Sequence, residues 1–273
     1  MSPAPEVLPR VTLARIDETF YQAAAAVVAE VLRSTGLDVA VVDGSHTRVY
    51  GMVGSGEADL CVAFWLPSGH AEAWAALDGR VEALASIFDD ARFFWAIPGY
   101  VDRRVVGIAD LADPEVAAMF PKNIRGLSLD ATITTASQEA VRQYGLSAIG
   151  FTVTPGDFNH WEASLLDALD TRSPVVLPLW RPYWLNKKFD LRALADPREV
   201  LRGPNTATLA AHIGVKERLP ERTLVALDRM SLSVDDVTDM DFVIHSEHIS
   251  PDQAAERWIA QHADRFERWV AST

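Results

Sequence analysis

The sequence predicts an α/β protein built from two sheets, each flanked by its own helices. Strand and helix signals alternate through the first hundred residues, and a second series of the same kind begins near residue 105. Because the connections are short, each helix is expected to return the chain to the end of the sheet at which the preceding strand began. Successive strands then run in the same direction, which makes the sheets mostly parallel. A hydrophobic fraction of 49% in 273 residues supports a sizeable core.

The first series starts with an apolar strand at residues 11–16 and an alanine-rich helix at residues 18–34. The helix carries its apolar residues at helical spacing and stops at Gly36. Further strands are predicted at residues 38–42, 60–64 and 93–97, with a short helix between the first two of these. This alternation of strand and helix is typical of a parallel sheet.

The second series extends to about residue 180. Strands are predicted at residues 105–108, 124–129, 151–154 and 175–179, and helices at residues 111–119, 137–144 and 160–169. A polar turn at residues 130–135 precedes the second of these helices. The last seventy residues begin with an apolar stretch at 206–213 and continue into helices. The last helix is expected to pack one face, with Trp258 and Trp269 in the core.

The composition argues against several classes of partner and site. The 25 basic and 38 acidic side chains give a net charge of -13, which repels nucleic acid and anionic membrane surfaces. The single cysteine, Cys61, lies in an apolar run, so neither a disulfide framework nor a thiolate metal cluster is expected. The seven histidines form no convincing metal set. We therefore expect no nucleic-acid partner and no metal site.

The N-terminal segment and the apolar stretches bear on where the protein is located. The N-terminal segment lacks the basic, apolar and small-residue regions of a signal peptide, which favours a cytoplasmic protein. The location would be extracytoplasmic if a signal peptide had been removed. No stretch approaches the ~18 to 20 apolar residues that a membrane span requires, so membrane insertion is not expected.

Two tryptophan-centred segments are the most informative motifs. They read Trp-Leu-Pro-Ser-Gly-His at residues 65–70 and Trp-Arg-Pro-Tyr-Trp at residues 180–184, each after a short apolar run. An indole just past a buried strand stands at the edge of a sheet, where ligands bind in open α/β folds. Two facing indoles would suit a cation that cannot donate hydrogen bonds, such as a sulfonium or a quaternary ammonium ion. Alternatively, both indoles merely plug the ends of the sheets.

These motifs, together with Asp-Pro at residues 196–197 and Ala-Ala-Glu-Arg-Trp-Ile at residues 254–259, resemble a known family. The chain is similar to the glycine-betaine/proline-betaine substrate-binding proteins of ABC importers over nearly its whole length. The resemblance implies the two-lobed type II periplasmic-binding-protein fold, each lobe a mostly parallel sheet flanked by helices. Lobe 1 would comprise residues 10–99 and 205–273 and lobe 2 residues 100–204, with the ligand cleft between the lobes.

The resemblance also implies a ligand site. Members of the family hold a trimethylammonium group in a box of aromatic rings, and Trp65 and Trp180 match box positions. The candidates for a third wall are Tyr21, Phe94, Trp95 and Trp161. Tyr183 stands where the family often has histidine, and Arg181 beside it either grips a carboxylate or faces solvent.

Polar residues near the first strand and the first tryptophan have two interpretations each. His70 either caps the helix that starts at Ala71 or contacts the ligand. Asp17 either binds a ligand amine or hydroxyl or is the N-cap of the helix that follows. Glu18 and Tyr21 share the first turn of that helix.

Two functions remain open at this point. One is a receptor that delivers glycine betaine, choline or a related solute to an ABC permease. The other, narrowly preferred because Met1 stands close before the first strand, is a cytoplasmic lyase that works without pyridoxal phosphate. It would cyclise S-adenosylmethionine, as substrate and with no cofactor, to 1-aminocyclopropane-1-carboxylate and release methylthioadenosine. The candidate catalytic residues for the lyase are Asp17, Glu18, Tyr21, Asp130 and His160.

Overall fold

The chain divides into two units, of which a computed structural model describes residues 10–129 and 131–271. The described part of unit 1 lies within Met1–Ala91, Pro182–Trp184 and Asn205–Thr273. Unit 2 lies within Arg92–Arg181 and Leu185–Pro204. The chain therefore passes from one unit to the other several times, and the short segment Pro182–Trp184 belongs to unit 1 although unit 2 residues flank it.

The described residues form strands and helices in alternation. The strands are β1 (Arg10–Ile16), β2 (Asp38–Gly44), β3 (Leu60–Leu66), β4 (Val81–Pro98), β5 (Asn123–Arg125), β6 (Thr152–Thr154), β7 (Leu177–Arg181), β8 (Leu191–Ala193) and β9 (Asn205–His212). The helices are α1 (Thr19–Ser34), α2 (His46–Ser55), α3 (Ala71–Ala76), α4 (Pro114–Ala117), α5 (Thr132–Gln143), α6 (Phe158–Asp170), α7 (Leu185–Lys188), α8 (Glu221–Arg229), α9 (Val234–Glu247), α10 (Pro251–Gln261) and α11 (Ala263–Val270). Short 3-10 turns lie at Ile108–Ala112, Leu146–Ile149 and Lys216–Arg218.

The sheet of unit 1 has the order β2, β1, β3, β9, β4. Strand β1 pairs parallel with β2 and β3, as predicted. Strand β9 runs antiparallel to both β3 and the first part of β4. The sheet is therefore mixed, and the expectation of a mostly parallel sheet is wrong for this half. The neighbour of β3 on the side away from β1 is β9, which comes from the distant end of the chain and runs in the opposite direction.

Helix α1 is the central helix of unit 1. It packs against β1 and β2 and also against α8, α9 and α10. The buried run Ala23–Ala26 has small side chains, which lets these neighbours approach the helix closely. Helix α1 ends at Ser34, with Thr35 as its C-cap, and Gly36 follows with a φ of 87°, a backbone conformation that glycine adopts without strain.

Unit 2 is built on the second part of β4. This segment pairs antiparallel with β7 and β8, whereas the short strands β5 and β6 pair with each other in parallel. Trp95 and Ile97 of β4 lie in the core of the unit with Phe120, Leu146 and Phe151. Here too the pairing is mixed rather than mostly parallel.

Several predicted elements differ from the structure, and three of the differences have a clear local cause. Residues 105–108 form no strand and lead into the 3-10 turn and α4, where Asp113 caps the helix by accepting from the backbone N–H of Glu115 and of Val116. Helix α5 begins at Thr132, inside the predicted polar turn. The predicted terminal helix is two helices, α10 and α11, because His262 between them has non-helical backbone angles. Trp258 and Trp269 nevertheless stack in the core, as expected.

No helix among residues 10–129 and 131–271 is long and apolar enough to cross a membrane.

Candidate functional site

Trp65 lies at the centre of a group of rings in unit 1. It is the penultimate residue of β3, inside the strand rather than beyond its end. Its ring centroid lies 6.1 Å from that of Phe20 and 5.9 Å from that of Tyr21, and its indole stacks on the His70 ring at 5.9 Å. We name this group the Trp65 cluster; it comprises Phe20, Tyr21, His46, Trp65, His70 and Tyr183.

Secondary-structure elements position the members of the Trp65 cluster. The first turn of α1 carries Phe20 and Tyr21, whose ring centroids are 4.2 Å apart. The first residue of α2 is His46, whose ring meets the Tyr21 ring edge-on at 5.6 Å. Tyr183 belongs to unit 1 and meets the Phe20 ring at 6.4 Å, also edge-on. The structure thus brings together four predicted site residues, which are Tyr21, Trp65, His70 and Tyr183.

The turn after Trp65 is held by a residue that the sequence did not single out. The side-chain oxygen of Asn205 accepts hydrogen bonds from the backbone N–H of Ser68 and of Gly69, both at 2.9 Å. A Cβ at Gly69 would lie 2.9 Å from the Trp65 Cβ, so the turn requires glycine at this point. Asn205 and Gly69 together fix the turn that leads from Trp65 to His70.

His70 occupies the N-cap position of α3, but its side chain makes no capping hydrogen bond. Instead its Nδ1 accepts the backbone N–H of Trp65 at 3.0 Å and lies 2.8 Å from the Tyr50 hydroxyl. Burial, and to a lesser extent His46, lowers the pKa of His70 to about 3. The imidazole is therefore neutral, with its proton on Nε2. Side-chain capping by His70 is wrong, and its contact with a ligand stays a prediction.

Glu18, not Asp17, is the N-cap residue of α1, although its side chain makes no capping hydrogen bond. The Glu18 Oε1 lies 3.6 Å from the His46 Nδ1. Burial raises the pKa of Glu18 to about 7, with further contributions from the charges of Asp241 and Asp17. Asp17 is exposed and accepts a hydrogen bond from Gln22 at 3.1 Å, so the expectation that Asp17 caps the helix is wrong.

A fully buried aspartate, Asp241 of α9, lies beside this acid and was missed from the sequence. Its Oδ2 accepts the backbone N–H of Trp184 at 2.7 Å, and its Oδ1 accepts the Thr19 hydroxyl. The same Oδ1 lies 3.6 Å from the His245 Nε2, and the His245 ring stacks on Trp184. Burial raises the pKa of Asp241 to about 7, and its two hydrogen bonds oppose that rise. Asp241 thereby ties α1 and the Pro182–Trp184 segment to α9.

The pKa shifts of Glu18 and Asp241 predict how stability depends on pH. An unfolded carboxyl group titrates near pH 4, so between about pH 4 and 7 the native protein holds protons that the unfolded chain has released. We therefore expect the free energy of unfolding to fall as the pH rises from 5 to 8. In Asp241→Asn that fall should be smaller by roughly 1 to 3 kcal/mol. Urea unfolding at several pH values measures how steeply the free energy of unfolding falls with pH in each protein. Equal slopes in the unmodified protein and in Asp241→Asn would contradict the raised pKa of Asp241.

Unit 2 contains a second aromatic group, around Trp180. This residue lies within β7, where it pairs with Phe93 of β4. The Trp161 ring of α6 stacks on the Trp180 ring at 5.3 Å, and Phe158 packs against Trp161 at 5.7 Å. The backbone carbonyl of Trp180 accepts a hydrogen bond from the Asn186 side chain at 2.8 Å. Of the predicted residues, the structure brings Trp161 and Trp180 together here.

The other predicted ligand residues of unit 2 differ in burial and in the partners they contact. Trp95 is fully buried in the core of the unit and its indole N–H donates to the Ser137 hydroxyl at 2.8 Å. Its neighbours are core residues, and its contact with a ligand stays a prediction. Phe94 is half-buried and pairs with Leu179, and Arg181 is half-buried and pairs with Arg92.

The remaining candidate bases for the lyase lie apart from the Trp65 cluster or are unsuited to proton transfer. His160 is exposed in the first turn of α6 and is paired with Asp157. Burial raises the pKa of the Tyr21 hydroxyl well above its usual range, which makes it a poor base near neutral pH. Asp130 lies outside the described residues.

Comparison with known proteins identifies the family. The family model described as the substrate-binding domain of the ABC-type glycine betaine transport system matches residues 9–261. The chain belongs to this family. The resemblance inferred from the sequence motifs is thereby confirmed.

A curated relative and several solved structures are similar to the chain. The glycine betaine/carnitine transport binding protein GbuC of Listeria monocytogenes serotype 1/2a (strain 10403S) is 27% identical over 147 residues, which cover 54% of this chain and 48% of the relative. The match thus spans about half the length of that relative. Lactococcal OpuAC in complex with glycine betaine is 24% identical with a TM-score of 0.82, covering 96% of this chain and 99% of that one.

A choline-binding protein of an ABC transporter, solved in complex with choline, is 19% identical with a TM-score of 0.79 and covers 98% of this chain and 93% of that one. At these identities the structural neighbours establish the fold. The predicted two-lobed type II periplasmic-binding-protein fold is confirmed.

The preferred function in the sequence analysis is wrong. A family of substrate-binding domains of a transport system contradicts a lyase that cyclises S-adenosylmethionine. The candidate catalytic roles of Asp17, Glu18, Tyr21, Asp130 and His160 fall with that activity. The findings favour the alternative, a solute receptor.

Proposed function

We propose that the protein is the solute receptor of an ABC importer and that it binds a small quaternary-ammonium compound. Its partner would be the permease of that importer, and its working location would be extracytoplasmic. The observation that carries the proposal is the Trp65 cluster, a group of packed rings in a chain that belongs to a betaine-type substrate-binding family.

The chemistry of the rings supports this ligand class. A methylated cation donates no hydrogen bonds, so it gains little from polar side chains and most from aromatic faces. Each desolvated ring contributes about 0.5 to 2 kcal/mol to the attraction of such a cation. In unit 1, Trp65 and Tyr21 are the rings that we propose contact the ligand. For Trp180 and Trp161 of unit 2, contact with a ligand stays a prediction.

The names of the relatives point to the same chemistry. The Listeria relative is named for glycine betaine and carnitine, and two structural neighbours were solved with glycine betaine and with choline. All of these ligands carry a trimethylammonium group. That shared group, rather than any one of the three compounds, is what we propose this chain recognises.

Isothermal titration calorimetry with matched ligands tests the proposal. We expect choline or glycine betaine to bind with a micromolar Kd, an affinity of about -8 kcal/mol. The matched control is 3,3-dimethylbutan-1-ol, which has the shape of choline without its charge and should bind at least tenfold more weakly. Absence of binding by every trimethylammonium compound would reject the proposal. Equal binding of the neutral alcohol would reject cation–π recognition.

A further inference from the structure

We propose that Glu18 makes this site select a ligand of net positive charge, such as choline, over a zwitterion such as glycine betaine. The inference rests on the proposed function, because it concerns the same site, and it adds the charge class of the ligand. It assigns to Glu18 the part of a specificity-determining residue.

The position of Glu18 is the first support. The residue directly precedes α1, whose first turn carries Phe20 and Tyr21 of the Trp65 cluster. Its carboxyl oxygen lies 3.6 Å from the His46 Nδ1, and the His46 ring meets the Tyr21 ring edge-on at 5.6 Å. Ring contacts then continue from Tyr21 to Trp65. The carboxyl group therefore borders the rings that are proposed to hold the onium head.

The electrostatic reach of this carboxyl group is the second support. Burial is the main reason why the pKa of the Tyr21 and Tyr50 hydroxyls lies well above the usual range, and the charge of Glu18 contributes at both. Since that charge is felt at Tyr21, it is also felt by a cation that contacts the Tyr21 ring. In a partly buried setting such a charge is screened less than on the surface.

Other titratable groups surround Glu18, and each affects the pH dependence. Asp17 lies beside it in the chain, Asp241 faces it from α9, and His46 faces it from α2. His245 is on the same helix as Asp241, and its Nε2 lies 3.6 Å from the Asp241 Oδ1. Burial and, to a lesser extent, the two aspartates raise the pKa of Glu18, and a bound cation would lower it, so we expect a cation to bind with release of a proton near pH 7.

The net charge of the ligand decides the outcome. Above pH 7 an ionised Glu18 attracts choline, whose only charge is positive. Glycine betaine adds a carboxylate that the same side chain repels, so its two charges oppose each other. Below pH 6 Glu18 is mostly neutral, so its side chain no longer favours choline over glycine betaine. Affinity for choline should therefore rise with pH, while affinity for glycine betaine should change little.

Calorimetry at pH 5.5 and pH 8 with Glu18→Gln tests the inference. In the unmodified protein the choline Kd should tighten at least fivefold between the two pH values, and the glycine betaine Kd should change less than twofold. Glu18→Gln should weaken choline binding at least fivefold at pH 8, remove its pH dependence, and leave glycine betaine binding unchanged or stronger. Glu30→Gln, the same chemical change further along α1, is the matched control and should leave all four constants unchanged.

Three results would overturn the inference alone, and a fourth would overturn the proposed function with it. If Glu18→Gln weakens the binding of choline and of glycine betaine equally, the role of Glu18 is purely structural. A pH dependence that survives in Glu18→Gln but disappears in His46→Gln would belong to the histidine. Tighter binding of glycine betaine than of choline at pH 8 would contradict the charge preference while leaving the proposed receptor intact. If the unmodified protein binds neither compound, the proposed function and this inference fail together.

Discussion

Replacement of Trp65 by leucine is expected to weaken the binding of a trimethylammonium ligand at least tenfold. Leucine keeps apolar volume beside Phe20 and Tyr21 but removes the electron-rich face that attracts the cation. Loss of one desolvated cation–π contact costs up to about 2 kcal/mol, and 1.4 kcal/mol corresponds to a tenfold change in Kd. Calorimetric titration with choline and glycine betaine measures the change.

Two companion variants show whether the effect belongs to the ring face. Trp65→Phe keeps a weaker aromatic face and should fall between the unmodified protein and the leucine variant. Trp258→Leu removes an indole that stacks on Trp269 and His262 in the helices of unit 1, and it should leave the Kd unchanged. Circular dichroism checks that each variant is folded. An unchanged Kd in a folded Trp65→Leu protein would remove Trp65 from the site.

The sequence predicted the strands whose patterns are unambiguous. Strand β3 is a continuous apolar run, which predicts a core strand, and the strand is buried along nearly its whole length. The first part of β4 was missed because Glu82, Asp89 and Asp90 interrupt its apolar residues. Residues 105–108 were assigned wrongly to a strand, since a short apolar run does not distinguish a strand from another buried segment. Strand direction was wrong because local pattern carries no information on which distant strand pairs with which.

The aromatic groups were predictable where a rare residue type marked them. Trp65, Trp161 and Trp180 were singled out because tryptophan beside a strand or turn is uncommon and chemically specific, and the structure packs each of them against other rings. Their contact with a ligand stays a prediction. Asp241 was not found, because its partners Thr19 and Trp184 lie 222 and 57 positions away in the chain. An acid inside the apolar stretch Met-Asp-Phe-Val-Ile at residues 240–244 was the one available signal.

The error about function had a different origin from the errors about the fold. The motifs indicate the correct family, and that family implies a receptor. The preference for a lyase depended on the position of Met1, which is not a property of the site. The candidate bases lacked the geometric support that an enzyme assignment requires, since His160 is exposed on α6 and Asp17 is engaged by Gln22.

Replacement of Asp241 by leucine should lower the free energy of unfolding by about 2 kcal/mol at pH 5.5, whereas Asp241→Asn should change it by less than about 1 kcal/mol. Leucine leaves the buried N–H of Trp184 without its acceptor, although the Thr19 hydroxyl retains the His245 Nε2 at 3.0 Å. Asparagine keeps an oxygen for the Trp184 N–H and turns its amide N–H toward Thr19.

Urea unfolding of both Asp241 variants at pH 5.5 isolates the hydrogen bond, because the carboxyl group of Asp241 is then largely protonated and carries little charge. At pH 8 the ionised carboxylate opposes burial, so Asp241→Leu should be less destabilising there than at pH 5.5, and Asp241→Asn should be more stable than the unmodified protein. Equal losses in the two variants at pH 5.5 would show that shape, rather than the acceptor for the Trp184 N–H, is what Asp241 contributes to α9.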